Sequence, residues 1–209
     1  MRMTSFPKKT EPWWMNASKW ISNLFNPLTS LVLYFIYYAA EFLTWKEAFR
    51  EFAPILGLLI LPIILWIVAN VRSGRYSNMD VSNRIQRKSL YVFILLALLI
   101  YLLVSYFLLD TLDLVMVFLL ALILLMQLSN FWVKSSMHTA LNVFAAALFF
   151  SISPTLGLLW LGIAILVGIT RVILKRHSIK EVLFGAGIAL LISICYLYFH
   201  IQTNSLFPL

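Results

Sequence analysis

Charge is scarce in this chain, and acid scarcer than base. Among 209 residues, 8 Asp and Glu stand against 16 Lys and Arg, and charged side chains together make up only 11%. A soluble domain carries about a quarter charged residues, so this polar cover is too thin for an ordinary water-soluble globule. Cysteine is nearly absent: Cys195 stands alone in an apolar run, which excludes a disulfide framework and leaves the redox compartment open. No group of His, Cys, Asp and Glu has the spacing of a metal site, and neither a metal nor a cofactor is expected. No internal repeat or low-complexity segment is found. No convincing small-x-small cleavage site follows the first apolar run, which reads as a retained span rather than a signal peptide.

What the chain has in abundance is hydrophobic mass, 62% of its residues. A helix needs about 20 largely apolar residues to cross hydrocarbon about 30 Å thick at about 1.5 Å per residue. That ruler picks out seven segments, at 28–45, 52–71, 89–109, 111–133, 138–153, 155–174 and 181–199. The expected fold is an all-α polytopic integral membrane helix bundle of six core helices plus one, because an open sheet edge in lipid would leave backbone groups unpaired. Pro62 should kink the second span without ending it. The bundle forms one domain, 28–209, behind a leader, 1–27. In that leader Trp13, Trp20, Leu24 and Phe25 fall near one helical face, as in a short helix lying at the membrane interface.

Seven crossings put every basic residue except Lys46 and Arg50 on one side, and Glu41, Glu47, Glu51, Asp110 and Asp113 on the other. The excess of Lys and Arg places that side in the cytoplasm of a cell membrane. The asymmetry survives when Arg84, Arg87, Lys88, Lys134 and Arg171 are set aside as site candidates. In so apolar a chain the positive excess points to membrane lipid headgroups or an anionic substrate, and not to nucleic acid.

Three polar loops share that side: "SNMDVSNRIQRK" (77–88), "VKSSMH" (133–138) and "TRVILKRHSIKE" (170–181). Two spans separate each from the next, so all three reach one end of the bundle. Their inventory suits an oxyanion held at a bilayer surface, with Arg offering a planar fork, Lys a point charge and Ser a neutral donor. His177 and Glu181 lie one helical turn apart on one face. A carboxylate holding one ring nitrogen leaves the other as a nucleophile or base. Ser136 and His138 open a span, near the positive end of a helix dipole. Plainer roles exist for several of these residues: Asp80 could pair with Arg84, Ser136 could cap its helix, Lys134 could anchor a helix end, and Gly162, Gly168, Gly185 and Gly187 could let helices approach closely.

Taken together these residues resemble the signature of the type 2 phosphatidic acid phosphatase superfamily, whose relatives include the vanadium haloperoxidases. That signature runs K-x6-R-P, P-S-G-H, S-R-x5-H-x3-D. Here the third part reads Thr170, Arg171, five residues, His177, three residues, Glu181. The second matches at Ser136 and His138, and the first has Arg87 and Lys88 with Asp80 at its head and no proline. The resemblance spans roughly 52–200. It implies hydrolysis of a lipid phosphomonoester or diphosphate through a phosphohistidine on His177, oriented by Glu181, with His138 as acid and base. It further implies that Arg171, Arg87, Arg84, Lys88, Lys134 and Ser136 hold the phosphoryl oxygens. The alternative from a different class is a protein of the same fold that binds anionic lipid or partners with little or no catalysis. A small transporter is disfavoured, since no ionisable residue lies clearly mid-span.

Overall fold

The computed structural model describes residues 12–206, and every regular element among them is a helix. Arg2, Lys8 and Lys9, counted above toward the positive side, lie outside the described residues. A leader helix α1 (Trp13–Leu24) is followed by α2 (Pro27–Phe42). Next comes one continuous helical stretch made of α3 (Trp45–Ile55), a π-helical turn (Leu56–Ile60) and α4 (Leu61–Arg72). The chain continues through α5 (Arg84–Leu109), α6 (Leu114–Ser129), α7 (Met137–Ile152), α8 (Pro154–Ile173) and α9 (Ile179–Leu206).

The seven apolar segments thus each become a helix, but several boundaries move. Asn83 accepts the Ile85 N–H and starts α5 at Arg84, so Arg84, Arg87 and Lys88 stand on the first turns of a helix and not on a loop. Thr44 and Glu47 form a reciprocal capping box that starts α3 at Trp45, seven residues ahead of the sequence boundary. Pro62 does leave its helix unbroken. The widened turn at Leu56–Ile60 immediately precedes it, and the Leu61 N–H reaches back to Leu56 O, which is how a helix absorbs a missing donor and a bulky ring.

Four stretches among the described residues are long and apolar enough to cross a membrane: Trp45–Arg72, Arg84–Leu108, Pro154–Ile173 and Ile179–Thr203. Leu114–Ser129 and Met137–Ile152 are apolar but shorter. The outward faces keep large side chains such as Leu103, Phe107, Leu183 and Ile194 exposed, far more apolar surface than a soluble monomer shows. This is the make-up of a membrane-embedded helix bundle.

The bundle is organised around α7. Every residue from Thr139 to Phe149 is buried, with α2, α8 and α9 packed about it. Ala140, Ala145, Ala146 and Ala147 keep that helix thin enough to be surrounded. Gly157 of α8 faces Phe150 so closely that a Cβ there would lie 2.4 Å from the Phe150 Cβ. Asn142 fastens the α1–α2 corner to this axis, donating to Phe25 O at 3.0 Å and accepting from the Ser30 hydroxyl at 2.8 Å. His138 therefore opens the most enclosed helix of the molecule.

Candidate active site

The three polar segments meet at one end of the bundle. The third is shaped by the end of α8. Lys175 takes a left-handed conformation, φ 53°, and the chain doubles back so that the N–H groups of Arg176 and His177 both reach Arg171 O, at 3.0 and 3.2 Å. A spacing of six residues thereby brings the Arg171 and His177 backbones together. Ser178 accepts the Glu181 N–H and α9 begins. One turn into it the Glu181 carboxylate reaches His177 Nδ1 at 2.9 Å and the Ser178 N–H at 3.1 Å.

The second segment is laid onto this turn. Ser136 N–H donates to Glu181 O at 3.0 Å, and Gly185 permits the contact, since a Cβ there would sit 2.8 Å from Ser136 O. The Ser136 hydroxyl is fully buried and caps α7, accepting from the Thr139 N–H and hydroxyl. It thus serves its helix and not the open part of the site.

Arg87, on the first turn of α5, joins all three segments. Its Nε–H donates to Val81 O at 3.2 Å, its Nη1–H to Ser135 O at 2.9 Å, and its Nη2 lies 3.2 Å from His177 Nε2. A guanidinium only donates, so Nε2 of His177 is the acceptor and its proton sits on Nδ1, toward Glu181. Burial, followed by the nearby Arg87 and Arg171 charges, pushes the His177 imidazole down to about 3, and it stays neutral.

Asp80 was missed as a site residue in the sequence, where a pairing with Arg84 was the plain expectation. Its carboxylate instead lies 2.6 Å from Arg171 Nη2 and 3.3 Å from His138 Nε2. Burial works to raise this carboxyl, but His138 and Arg171 outweigh it and hold it below its ordinary value. Arg171 is 3% exposed, and its Nη1–H donates to the Ser22 hydroxyl of α1 at 3.1 Å. The leader helix therefore helps to build the site. Its Ser18 and Ser22 face inward while Trp13, Trp20 and Leu24 remain exposed. Only helical periodicity in the leader, read for its polar face, could have suggested Ser22.

The remaining expected phosphate ligands part company. Lys134 borders the site, its Nζ donating to Arg176 O at 3.1 Å; burial, then Arg87, lowers its ammonium. Arg84 and Lys88 turn away. Arg84 donates to the carbonyls of Asn130 and Phe131, and Lys88 lies 5.1 Å from the Phe131 ring centroid. Among the described residues no group of three or more His, Cys, Asp and Glu is placed to hold a metal.

A cavity of about 660 Å³ opens beside the charged cluster. Lys19, Asp80, His138, Arg171 and Arg176 line its polar end, while Leu31, Phe35, Leu59, Ile63, Leu98 and Leu119 line an apolar body within the bundle. The Arg171 Nε–H is buried with no acceptor, a donor left over in a site otherwise closely paired. Such an arrangement can hold an anionic head at the cluster and a hydrocarbon tail among the helices. No family model, no curated protein and no solved structure matches this chain.

Proposed function

We propose that this protein hydrolyses a lipid phosphate, a phosphomonoester or diphosphate of an acyl or prenyl amphiphile, by two-step phosphoryl transfer. The observation that carries the reading is the His177 ring. Its Nδ1 is tied to Glu181 and its Nε2 lone pair faces Arg87, and Arg171, whose carbonyl accepts the His177 N–H, lines the charged end of a cavity with an apolar body. In the first step His177 Nε2 forms a bond to phosphorus as the bond from phosphorus to the lipid oxygen breaks, and His138 gives that oxygen a proton. In the second, His138 takes a proton from water, whose oxygen displaces the imidazole and releases phosphate. Arg87 exchanges its bond to Nε2 for one to a phosphoryl oxygen, and Arg171 and Lys134 neutralise the developing charge.

The likeness of the three polar segments to the type 2 phosphatidic acid phosphatase signature supports this chemistry. So does their convergence. In the membrane arrangement that goes with it, seven helices cross, α1 lies in the interface and the site faces the cytoplasm, following the asymmetry of Lys and Arg. A second reading, binding of anionic lipid without turnover, is favoured by one observation: Asp80 already occupies Arg171.

The deciding experiment measures phosphate release from short-chain phosphatidic acid and from a prenyl diphosphate by the purified protein. Turnover should appear with at least one of them, and His177→Asn should abolish it with loss of a trapped phosphohistidine. Turnover that survives His177→Asn would remove the nucleophile. Binding of these lipids with no release at all would establish the second reading. Labelling of a Ser77→Cys variant in intact cells from the outside would reverse the orientation.

A further inference from the structure

Asp80 takes no part in the steps above, yet it touches two of the groups that do. Its Oδ1 is 3.3 Å from His138 Nε2 and its Oδ2 is 2.6 Å from Arg171 Nη2. The backbone that aims it is held in an uncommon conformation. Val81, the next residue, has φ 43°, a region that a β-branched side chain rarely enters. Its side chain is buried in a small core with Tyr76 and Leu90, and its carbonyl accepts the Arg87 Nε–H. Strain of this kind persists where the surroundings over-determine it, commonly at functional sites.

The Asp80 carboxylate faces His138 Nε2 at ion-pair distance. A carboxylate only accepts, so the tautomer it favours carries the hydrogen on Nε2 and leaves the lone pair on Nδ1. At His177 the order is reversed, with Nε2 accepting from Arg87 and Nδ1 donating to Glu181. With Asp80 favouring hydrogen on Nε2 of His138, the two imidazoles of the site take opposite tautomers.

We propose that Asp80 is the positioning residue of His138: it fixes the tautomer in which Nδ1 does the proton work, and stabilises the imidazolium as the proton passes. This rests on the phosphoryl-transfer reading and assigns the acid that serves its second imidazole. Nδ1 first takes the proton of the substrate's phosphoryl hydroxyl and passes it to the lipid oxygen as the ester bond breaks. Nδ1 then takes a proton from the attacking water and passes it to the departing phosphate, so the ring returns to its neutral starting form. Asp80 itself stays ionised throughout, holding the Nε2–H.

A substitution sharpens the claim. In Asp80→Asn the side-chain oxygen must stay with Arg171, which can only donate. The amide NH2 is then turned to His138 Nε2, which has to become the acceptor. The variant should flip the His138 tautomer to the one with hydrogen on Nδ1, the wrong form for proton transfer.

The test uses the full chain in lipid nanodiscs with ¹⁵N-labelled histidine, the His138 signals being assigned by their loss in His138→Asn. Wild type should show His138 protonated on Nε2 and His177 protonated on Nδ1. Asp80→Asn should move the His138 proton to Nδ1 and leave His177 as it was, while Asp80→Glu restores the first pattern. With dodecyl phosphate as substrate, Asp80→Asn should lower kcat roughly a hundredfold while KM moves less than about threefold. A wild-type His138 carrying its proton on Nδ1 overturns the proposal without any variant having to fold. So does an Asp80→Asn protein whose His138 tautomer is unchanged, whatever its kcat. A wild type with the expected tautomers and no lipid phosphatase activity would remove the proposed reaction alone and leave the hold of Asp80 on His138 in place.

Discussion

The two ends of the bundle hold cavities of nearly equal size, about 660 and 640 Å³, and both are lined with ionisable groups. They differ in what those groups are bonded to. At the far end, a helical rise of about 28 Å along α9 from Glu181 to His200, the polar residues mostly bond within one element or to the next along the chain, apart from Tyr196, whose hydroxyl lies 3.3 Å from that of Ser151. Asp113 caps α6 through the Met116 N–H at 3.1 Å and accepts the Tyr101 hydroxyl at 3.1 Å. Ser105 donates to Thr111 O, and His200 stacks on Tyr196. At the near end the bonds run between segments distant in the chain: Arg87 to Ser135 and His177, Asp80 to Arg171 and His138. Cavity volume does not mark a site. Buried ionisable groups gathered from separate segments do, because the fold holds them together against the desolvation they incur.

The sharpest way to break this contrast is to remove one group from each end. Arg87→Ala strands the buried carbonyls of Val81 and Ser135 and frees His177 Nε2; phosphate release should fall roughly a thousandfold, as for loss of a charge-stabilising donor. Asp113→Asn at the other end should leave release within about twofold in the same assay. Equal losses from both would mean that the far end takes part.

A second pair of variants compares two glycines two residues apart on α9. A Cβ at Gly185 would meet Ser136 O at 2.8 Å, whereas one at Gly187 meets nothing within 4 Å. Gly185→Ala should destabilise the protein by about 1–3 kcal/mol through forced displacement of the 133–136 turn. Gly187→Ala should be neutral or stabilising by about 0.5–1 kcal/mol. Thermal unfolding in detergent reads both.

A smaller effect at the near end is read by acid. The His177 imidazole lies at about 3 in the folded protein against 6.5 ordinarily, so the unfolded chain takes up this proton first. Its contribution to stability is complete above about pH 6.5 and is lost as pH falls toward 3. Asp80, also lowered, is lost in the same direction but only through the acid carboxylate range. The unfolding midpoint should therefore decline below about pH 6.5, and His177→Asn should flatten that decline in part, the rest coming from His138, which burial also holds down to about 3. An unchanged slope in the variant would mean the ring is not held neutral. The smallest effect belongs to Arg84→Ala and Lys88→Ala, which should each leave turnover within about twofold, since both side chains are spent on the 130–131 turn.

Much of this architecture was legible in the chain. Long apolar runs declare helices because lipid accepts little else. The His177–Glu181 pair declares itself because four residues make one helical turn, whatever surrounds it. Convergence of the three polar loops followed from counting crossings. Helix starts were less legible, because a cap such as Asn83 or Thr44 acts through hydrogen bonds that hydropathy does not register. That error placed Arg84, Arg87 and Lys88 on a loop and left no means of separating them. Helical phase separates them: Arg87 points inward, while its neighbours on α5 turn to the 130–131 carbonyls and ring.

By itself, then, the sequence determined that the protein is a helical membrane bundle with a carboxylate-held imidazole at one end, because both follow from periodicity along a single stretch. Only the tertiary structure decided that Asp80 serves Arg171 and His138 and not Arg84, that Ser22 of the leader joins the cluster, and that an apolar cavity opens beside it. Asp80 and Arg171 are 91 residues apart. Their meeting depends on how α4, α5, α7 and α8 close around the core, and no local pattern encodes which of several buried cations a lone acid will reach.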